Sequence, residues 1–261
     1  MATMTAPLTL RSLEYWAYQY RRTWRGSVIS TVLSPVLFLS AMGVGLGTLV
    51  DSSRAGGVGG VDYLAFLAPG LLAASAMQTA VSESSYPVLA SIKWIRIYHA
   101  MLATPLGVLD VMVGHLAWIA VRVFVSSSVY LAVMTLFGAT HSPLALLALP
   151  AAVLTGMAFS APVVAFAASV DNDSGFAALN RFAVIPMFLF SGVFFPISQL
   201  PPVLERVAYL TPLWHGVDLC RGLTLGTATP GRAVLHVAYL GVWVVAGVLA
   251  AAAAYRRRLY I

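Results

Sequence analysis

Charged residues are missing from long stretches of this chain, and the gaps have the length of membrane crossings. Gly26 to Val50 is 25 residues without Asp, Glu, Lys or Arg, bounded by Arg25 and Asp51. Tyr63 to Ser82 is another uncharged run, between Asp62 and Glu83, and Val123 to Val170 holds no charge over 48 residues. An α-helix rises 1.5 Å per residue, so about 20 apolar residues cross the hydrocarbon core. The 48-residue run is too long for one crossing, and the turn formers of Gly138-Ala-Thr-His-Ser-Pro143 divide it. The pattern predicts spans at about 26–50, 62–83, 107–137, 143–169, 176–195 and 232–255. The fifth is the least regular, with Pro186 inside it and Pro196 just after it. The sixth ends at Arg256, Arg257 and Arg258.

Backbone groups in lipid must be satisfied within a helix or a closed barrel, and these runs lack the alternation of a barrel. The expected fold is therefore an all-α integral membrane protein with six transmembrane helices in a single domain over residues 1–261. Six crossings put both termini on one side, and cationic loop residues mark the cytoplasmic face. With the termini cytoplasmic, Arg11, Arg21, Arg22, Arg25, Lys93, Arg96 and Arg256 to Arg258 lie inside. Arg54, Arg206, Arg221 and Arg232 lie outside. Nine against four favours that orientation. The first apolar run starts at Gly26 and is too long for the core of a cleaved leader, so it is expected to remain as a span.

Three stretches stand outside the regular crossings. In residues 7–24, Leu10, Leu13, Ala17, Tyr20 and Trp24 recur at helical spacing, which predicts a helix in the membrane interface, with Trp16 and Trp24 as anchors at that depth. Residues 87–103 form a helix in the longest cytoplasmic loop, carrying Lys93, Trp94, Arg96 and His99 as a surface for a soluble partner. Residues 196–231 are too apolar for a solvated loop and are expected to dip back into the outer leaflet, which is permissible where protein covers the backbone. The Gly56, Gly57, Gly59 and Gly60 cluster is the one low-complexity tract.

Composition sharpens this picture. The chain is 60% hydrophobic and 9% charged, against about 25% charged in soluble domains. The net charge of +6 is spread over span ends and forms no patch, so nucleic acid is not an expected partner. A single cysteine, Cys220, allows no internal disulfide and no thiolate cluster. The sole lysine, Lys93, follows Ile92 and not a glycine-rich turn, so the chain carries no nucleotide loop.

Six ionisable residues are candidates for a pathway or gate. Arg122 sits well inside the third span, where an arginine costs about 2.5–3.5 kcal/mol and must face protein or water. His115, seven residues earlier, shares its face. The competing readings for Arg122 are a polar lining that meets an anionic or hydroxylated part of the substrate, and a structural ion pair with Glu83 or with an acidic residue of a neighbouring helix. Glu83 itself reads as a gate element or as a loop-edge charge. His215, Asp218 and Arg221 cluster in the re-entrant segment; no third ligand accompanies the first two, so neither a metal site nor a catalytic residue is expected. Asp110 caps the start of the third span.

Four segments together resemble the ABC-2 type permease family: Phe66 to Ala73 (FLAPGLLA), Met101 to Gly114 (MLATPLGVLDVMVG), Phe188 to Ser198 (FLFSGVFFPIS) and Leu210 to Gly222 (LTPLWHGVDLCRG). The spacing is similar to that of drug and lipo-oligosaccharide exporters. The resemblance implies a six-span subunit in a homodimer or a related heterodimer, and a separate ABC ATPase holding the ATP and Mg. It also implies a coupling helix with Lys93, Trp94 and Arg96 against that ATPase, and a re-entrant helical hairpin between spans five and six that closes the outer side. The expected role is export of a hydrophobic or amphiphilic substrate, a drug, glycolipid or lipo-oligosaccharide, across a bacterial inner membrane. The rival readings are a gradient-driven transporter, which calls for paired acidic or unwound segments at the midplane, and a membrane-embedded lipid-modifying enzyme.

Overall fold

The computed structural model describes residues 8–53, 58 and 60–259. Pro7, Arg54, Gly56, Gly57 and Gly59, which entered the expectations above, lie outside the described residues. Among the described residues the regular secondary structure is helical, apart from an isolated β-bridge between Val58 and Val61.

The chain runs α1 (Leu8–Phe38), a π-helical stretch (Leu39–Leu46), α2 (Gly47–Ser53), α3 (Tyr63–Ser84), α4 (Tyr86–Leu89), α5 (Ile97–Leu102), α6 (Val108–Leu136) and α7 (Ala148–Ser169). It then continues through α8 (Ser174–Leu179), α9 (Ile185–Phe190), α10 (Pro202–Tyr209), α11 (Pro212–Leu225) and α12 (Pro230–Leu259). Among the described residues, five helical runs are long and apolar enough to cross a membrane: Thr31–Val50, Tyr63–Trp94, Val108–Leu136, Pro143–Ser169 and Pro230–Leu259.

The expected crossing at 176–195 takes another form. Its apolar helical part is the shorter run Ser174–Phe190, π-helical at Asn180–Val184. Pro186 has no N–H and crowds the carbonyl four residues back, which displaces the ladder there. The run then ends at Gly192, whose φ of 79° is left-handed.

Two other boundaries differ from the sequence reading. The segments 7–24 and 26–50 were expected as separate helices, yet α1 passes through Arg25 and Gly26 unbroken. One glycine costs a helix only about 1 kcal/mol and, unlike proline, leaves every hydrogen bond in place. The segment 87–103 was expected as one helix, but it divides at Arg96, which adopts φ 56° and ψ 30° at the N-terminus of α5. Asp110 behaves as expected: its Oδ2 accepts the Gly107 N–H at 3.0 Å at the start of α6.

Small residues let the long helices approach one another, since lipid supplies no hydrophobic drive between them. α7 lies at the centre, packed against α3, α6, α11 and α12. A Cβ added at Gly247 of α12 would stand 2.5 Å from Pro162 Cδ of α7, so that pair closes only around glycine. At Gly114 of α6 an added Cβ would stand 2.4 Å from Ser12 Oγ of α1. This contact seats the N-terminal part of α1 along α6. Trp16 is consequently buried against His115, and not exposed as an interface anchor; Trp24 is exposed.

Candidate functional site

On α3, Ser75, Gln78, Thr79, Ser82 and Glu83 recur at helical spacing and form a polar stripe along one side of an apolar helix. Thr31 and Ser34 of α1 and Arg122 and Ser126 of α6 complete a cavity of ≈ 390 Å³ around that stripe. Thr79 and Ser126 approach to 3.4 Å across it. Hydroxyls, one amide and one ion pair therefore meet about halfway along α6. Such a lining offers many hydrogen-bond donors and acceptors where lipid offers none.

Arg122 Nε donates to Glu83 Oε1 at 2.9 Å, and both side chains are largely buried. The guanidinium also lies 4.4 Å from the centre of the Tyr20 ring, within cation–π range. Both members of the ion pair also line a second cavity, of ≈ 260 Å³, with Trp16, Gln19, Tyr20, Thr23, Pro87 and Trp118. Glu83 and Arg122 are thus a wall between a hydroxyl-lined chamber and an aromatic one. His115 lines neither. It is buried, stacks on Trp16 with ring centres 4.0 Å apart and hydrogen-bonds through Nδ1 to the Tyr98 hydroxyl.

Tyr98, on α5, also accepts a hydrogen bond from Tyr255 of α12 at 3.1 Å. Burial, reinforced by Tyr255, holds the Tyr98 phenol well above its ordinary range, so it remains a neutral donor. With Tyr98 donating to His115 Nδ1, the His115 proton sits on Nε2, a buried atom with no hydrogen-bond partner among the described residues. Through one side chain, α5 is bound to α1, α6 and α12.

Around this end, Lys93 Nζ donates to the Asp171 carbonyl at 2.6 Å and Arg258 donates to Asp171 Oδ1 at 2.5 Å. The Arg258 hydrogen bond and charge, with a smaller contribution from Lys93, lower the Asp171 carboxyl below its usual range. Trp94 and Arg96 are exposed, whereas His99 is half-buried. Of the four residues expected to form a docking surface, Trp94 and Arg96 face outward, while Lys93 is already tied to the α7–α8 turn.

The remaining candidates gather at the opposite end. Arg221 donates from Nε to the Phe66 carbonyl at 3.1 Å and from Nη2 to the Gly192 carbonyl at 2.8 Å. The guanidinium also lies 3.8 Å over the Phe66 ring. α11 is thereby pinned to α3 and to the bend after α9. His215 and Asp218 do not bond to each other; both meet His236 of α12, at 2.8 Å and 2.9 Å. Sequence reasoning missed His236, Tyr98 and the α3 stripe. Only the stripe carried a sequence signal, its spacing of three and four. Among the described residues, no group of three or more His, Cys, Asp or Glu side chains is arranged to hold a metal.

Comparison with known proteins agrees with this architecture. Residues 13–225 match the family described as ABC-2 type transporter. The chain is 34% identical to Nodulation protein J of Rhizobium leguminosarum bv. viciae over 94% of its own length and 95% of the relative's. It is 31% identical to Nodulation protein J of Neorhizobium galegae over 94% of each chain. Inner membrane transport permease YadH of Escherichia coli is 22% identical over 78% of each.

Proposed function

We propose, because this chain belongs to the ABC-2 type transporter family, that it is the membrane-spanning permease subunit of an ATP-driven exporter. ATP and Mg are bound and hydrolysed on a separate ABC ATPase. The cargo is amphiphilic, in the class of glycolipids and lipo-oligosaccharides, and it leaves a bacterial inner membrane in which both termini are cytoplasmic.

The observation that carries the cargo class is the stripe on α3. Gln78 and Ser82, with Ser34 on α1, are exposed in the single chain although they lie within membrane-length apolar helices. Polar side chains are costly against lipid, so this face belongs against water, cargo or a second permease copy. A pair of subunits facing each other across α1 and α3 encloses a hydrophilic route, open to lipid at its edges for an acyl chain. The Glu83–Arg122 wall then divides the cytoplasmic aromatic chamber from the hydroxyl chamber beyond it.

The exposed Trp94–Arg96 corner is the docking point for the ATPase. Its motion reaches the spans through Tyr98, whose partners lie on α6 and α12.

The test is reconstitution of the purified chain in liposomes, with and without the ABC ATPase encoded beside it. ATP-dependent movement of a fluorescent lipo-oligosaccharide that needs both proteins is the expected result. Movement by the permease alone, driven by an ion gradient, would make it a gradient-driven transporter and end this reading.

A further inference from the structure

A separate chamber lies where α11 meets α12. It encloses ≈ 590 Å³, and an adjoining chamber of ≈ 200 Å³ reaches the same charged side chains: Asp218, Arg221, Arg232 and His236. Asp218 is the one carboxylate among those linings. Arg232, in the first turn of α12, is exposed and lines both chambers. The Phe66 ring lines both as well, and Trp214 lines the larger.

Hydrogen bonds fix the place of that carboxylate. His236 Nε2 lies 2.9 Å from Asp218 Oδ2, and a carboxylate accepts and cannot donate, so His236 donates to it. His215 bridges behind, its Nδ1 2.8 Å from His236 Nδ1 and its Nε2 3.1 Å from the Tyr209 carbonyl. Burial, and then the neighbouring His236, pull His215 down to about 4. The Asp218 carboxyl is lowered by its bond to His236, so it is ionised at neutral pH.

Two arginines, Arg221 and Arg232, face that single carboxylate among the described lining residues, so the lining keeps a net positive charge. The carbonyls that hold Arg221 orient the guanidinium without cancelling its charge. Burial pulls Arg221 down to about 10, and it stays protonated at neutral pH. A chamber with an uncompensated positive charge and aromatic walls suits an anion attached to an apolar body.

We propose that this chamber binds the anionic group of an amphiphile, a phosphate or carboxylate, with Arg232 in contact and Arg221 supplying a fixed field. His236 holds Asp218 Oδ2 at 2.9 Å and so keeps the carboxylate engaged away from Arg232. His215 braces His236, and Tyr239 of α12 stacks on His215 with ring centres 3.8 Å apart. The inference is independent of ATP coupling.

The test uses the full chain in dodecyl maltoside, titrated with dioctanoyl phosphatidic acid, neutral dioctanoylglycerol or inorganic phosphate. Dioctanoyl phosphatidic acid should bind at least about tenfold more tightly than the glyceride. Arg232→Gln should lose about tenfold and Arg232→Lys much less, as expected for one charge-assisted contact. His236→Ala, which removes the partner of Asp218 and frees the carboxylate to turn to the arginines, should also weaken binding. Competition by inorganic phosphate would assign the site to a free anion as well as to a headgroup; absence of competition would assign it to the headgroup alone. Equal binding of the neutral glyceride, or unchanged affinity in Arg232→Gln, overturns the proposal.

Discussion

Arg122 and Glu83 meet at 2.9 Å where α6 crosses α3, and both side chains face two cavities at once. A pair in that position holds two helices together and also closes one chamber from the other. Removing one partner strands a charge that is mostly withdrawn from water. Glu83→Gln or Arg122→Gln should each destabilise the protein by about 2 kcal/mol, less than for a fully buried pair, and the double variant should regain part of that. Thermal unfolding in detergent measures the cycle. Transport should fall in every variant, because the wall is altered whether or not stability recovers. Strict additivity of the two stability losses would show that the ion pair contributes nothing.

The stripe on α3 makes the opposite prediction for stability. Gln78→Leu with Ser82→Val exchanges exposed polar side chains for apolar ones on a helix that spans lipid. Unfolding temperature should hold or rise, while transport of an amphiphile with a sugar head falls at least about tenfold, since several hydrogen bonds to cargo are lost. Retention of transport at the original rate would remove the stripe from the route.

Trp94 and Arg96 are exposed, so alanine at both should leave the stability within about 1 kcal/mol of the parent. Pull-down of the ATPase should be abolished. Arg96→Gly goes further: the residue sits at φ 56°, where a side chain costs about 1 kcal/mol, and glycine should stabilise the turn by a similar amount. Lys93→Ala separates the two roles, because its ammonium is bonded to the Asp171 carbonyl.

Asp171 ties the end of α12 to the α7–α8 turn through Arg258. Its folded carboxyl is lowered relative to the unfolded chain. The contact therefore contributes above the ordinary carboxylate range and is lost as pH falls through the depressed value. Protection from hydrogen exchange in the last turn of α12, taken relative to the intrinsic rate at each pH, should be high at pH 7 and fall at acid pH. In Asp171→Asn it should be low at both. Unchanged protection across that window would exclude the contact.

Much of the architecture was legible in the order of residues. Charge-free runs of crossing length and the cationic ends of the chain identify the long helices at 62–83, 107–137, 143–169 and 232–255 closely, because lipid forces backbone satisfaction inside each segment. The segment at 176–195 misled for a local reason: its apolarity has crossing length, but Pro186 and Gly192 end the helix early. The α3 stripe was present as spacing and was overlooked because each serine and threonine is unremarkable alone.

Pairings of distant residues were beyond reach of the sequence. Nothing near Asp218 announces His236, which arrives from the following helix only once the Gly226 turn has folded α12 back against α11. Tyr98 likewise reads as one more apolar position until His115 and Tyr255, from two other helices, close on its hydroxyl. The local pattern determines which segments bury themselves in lipid, since that choice depends on each segment's own hydrogen bonds and charges. Which polar groups share a cavity depends on how helices cross, and that was decided by close approaches such as Gly247 on Pro162 and Ser12 on Gly114, made in three dimensions.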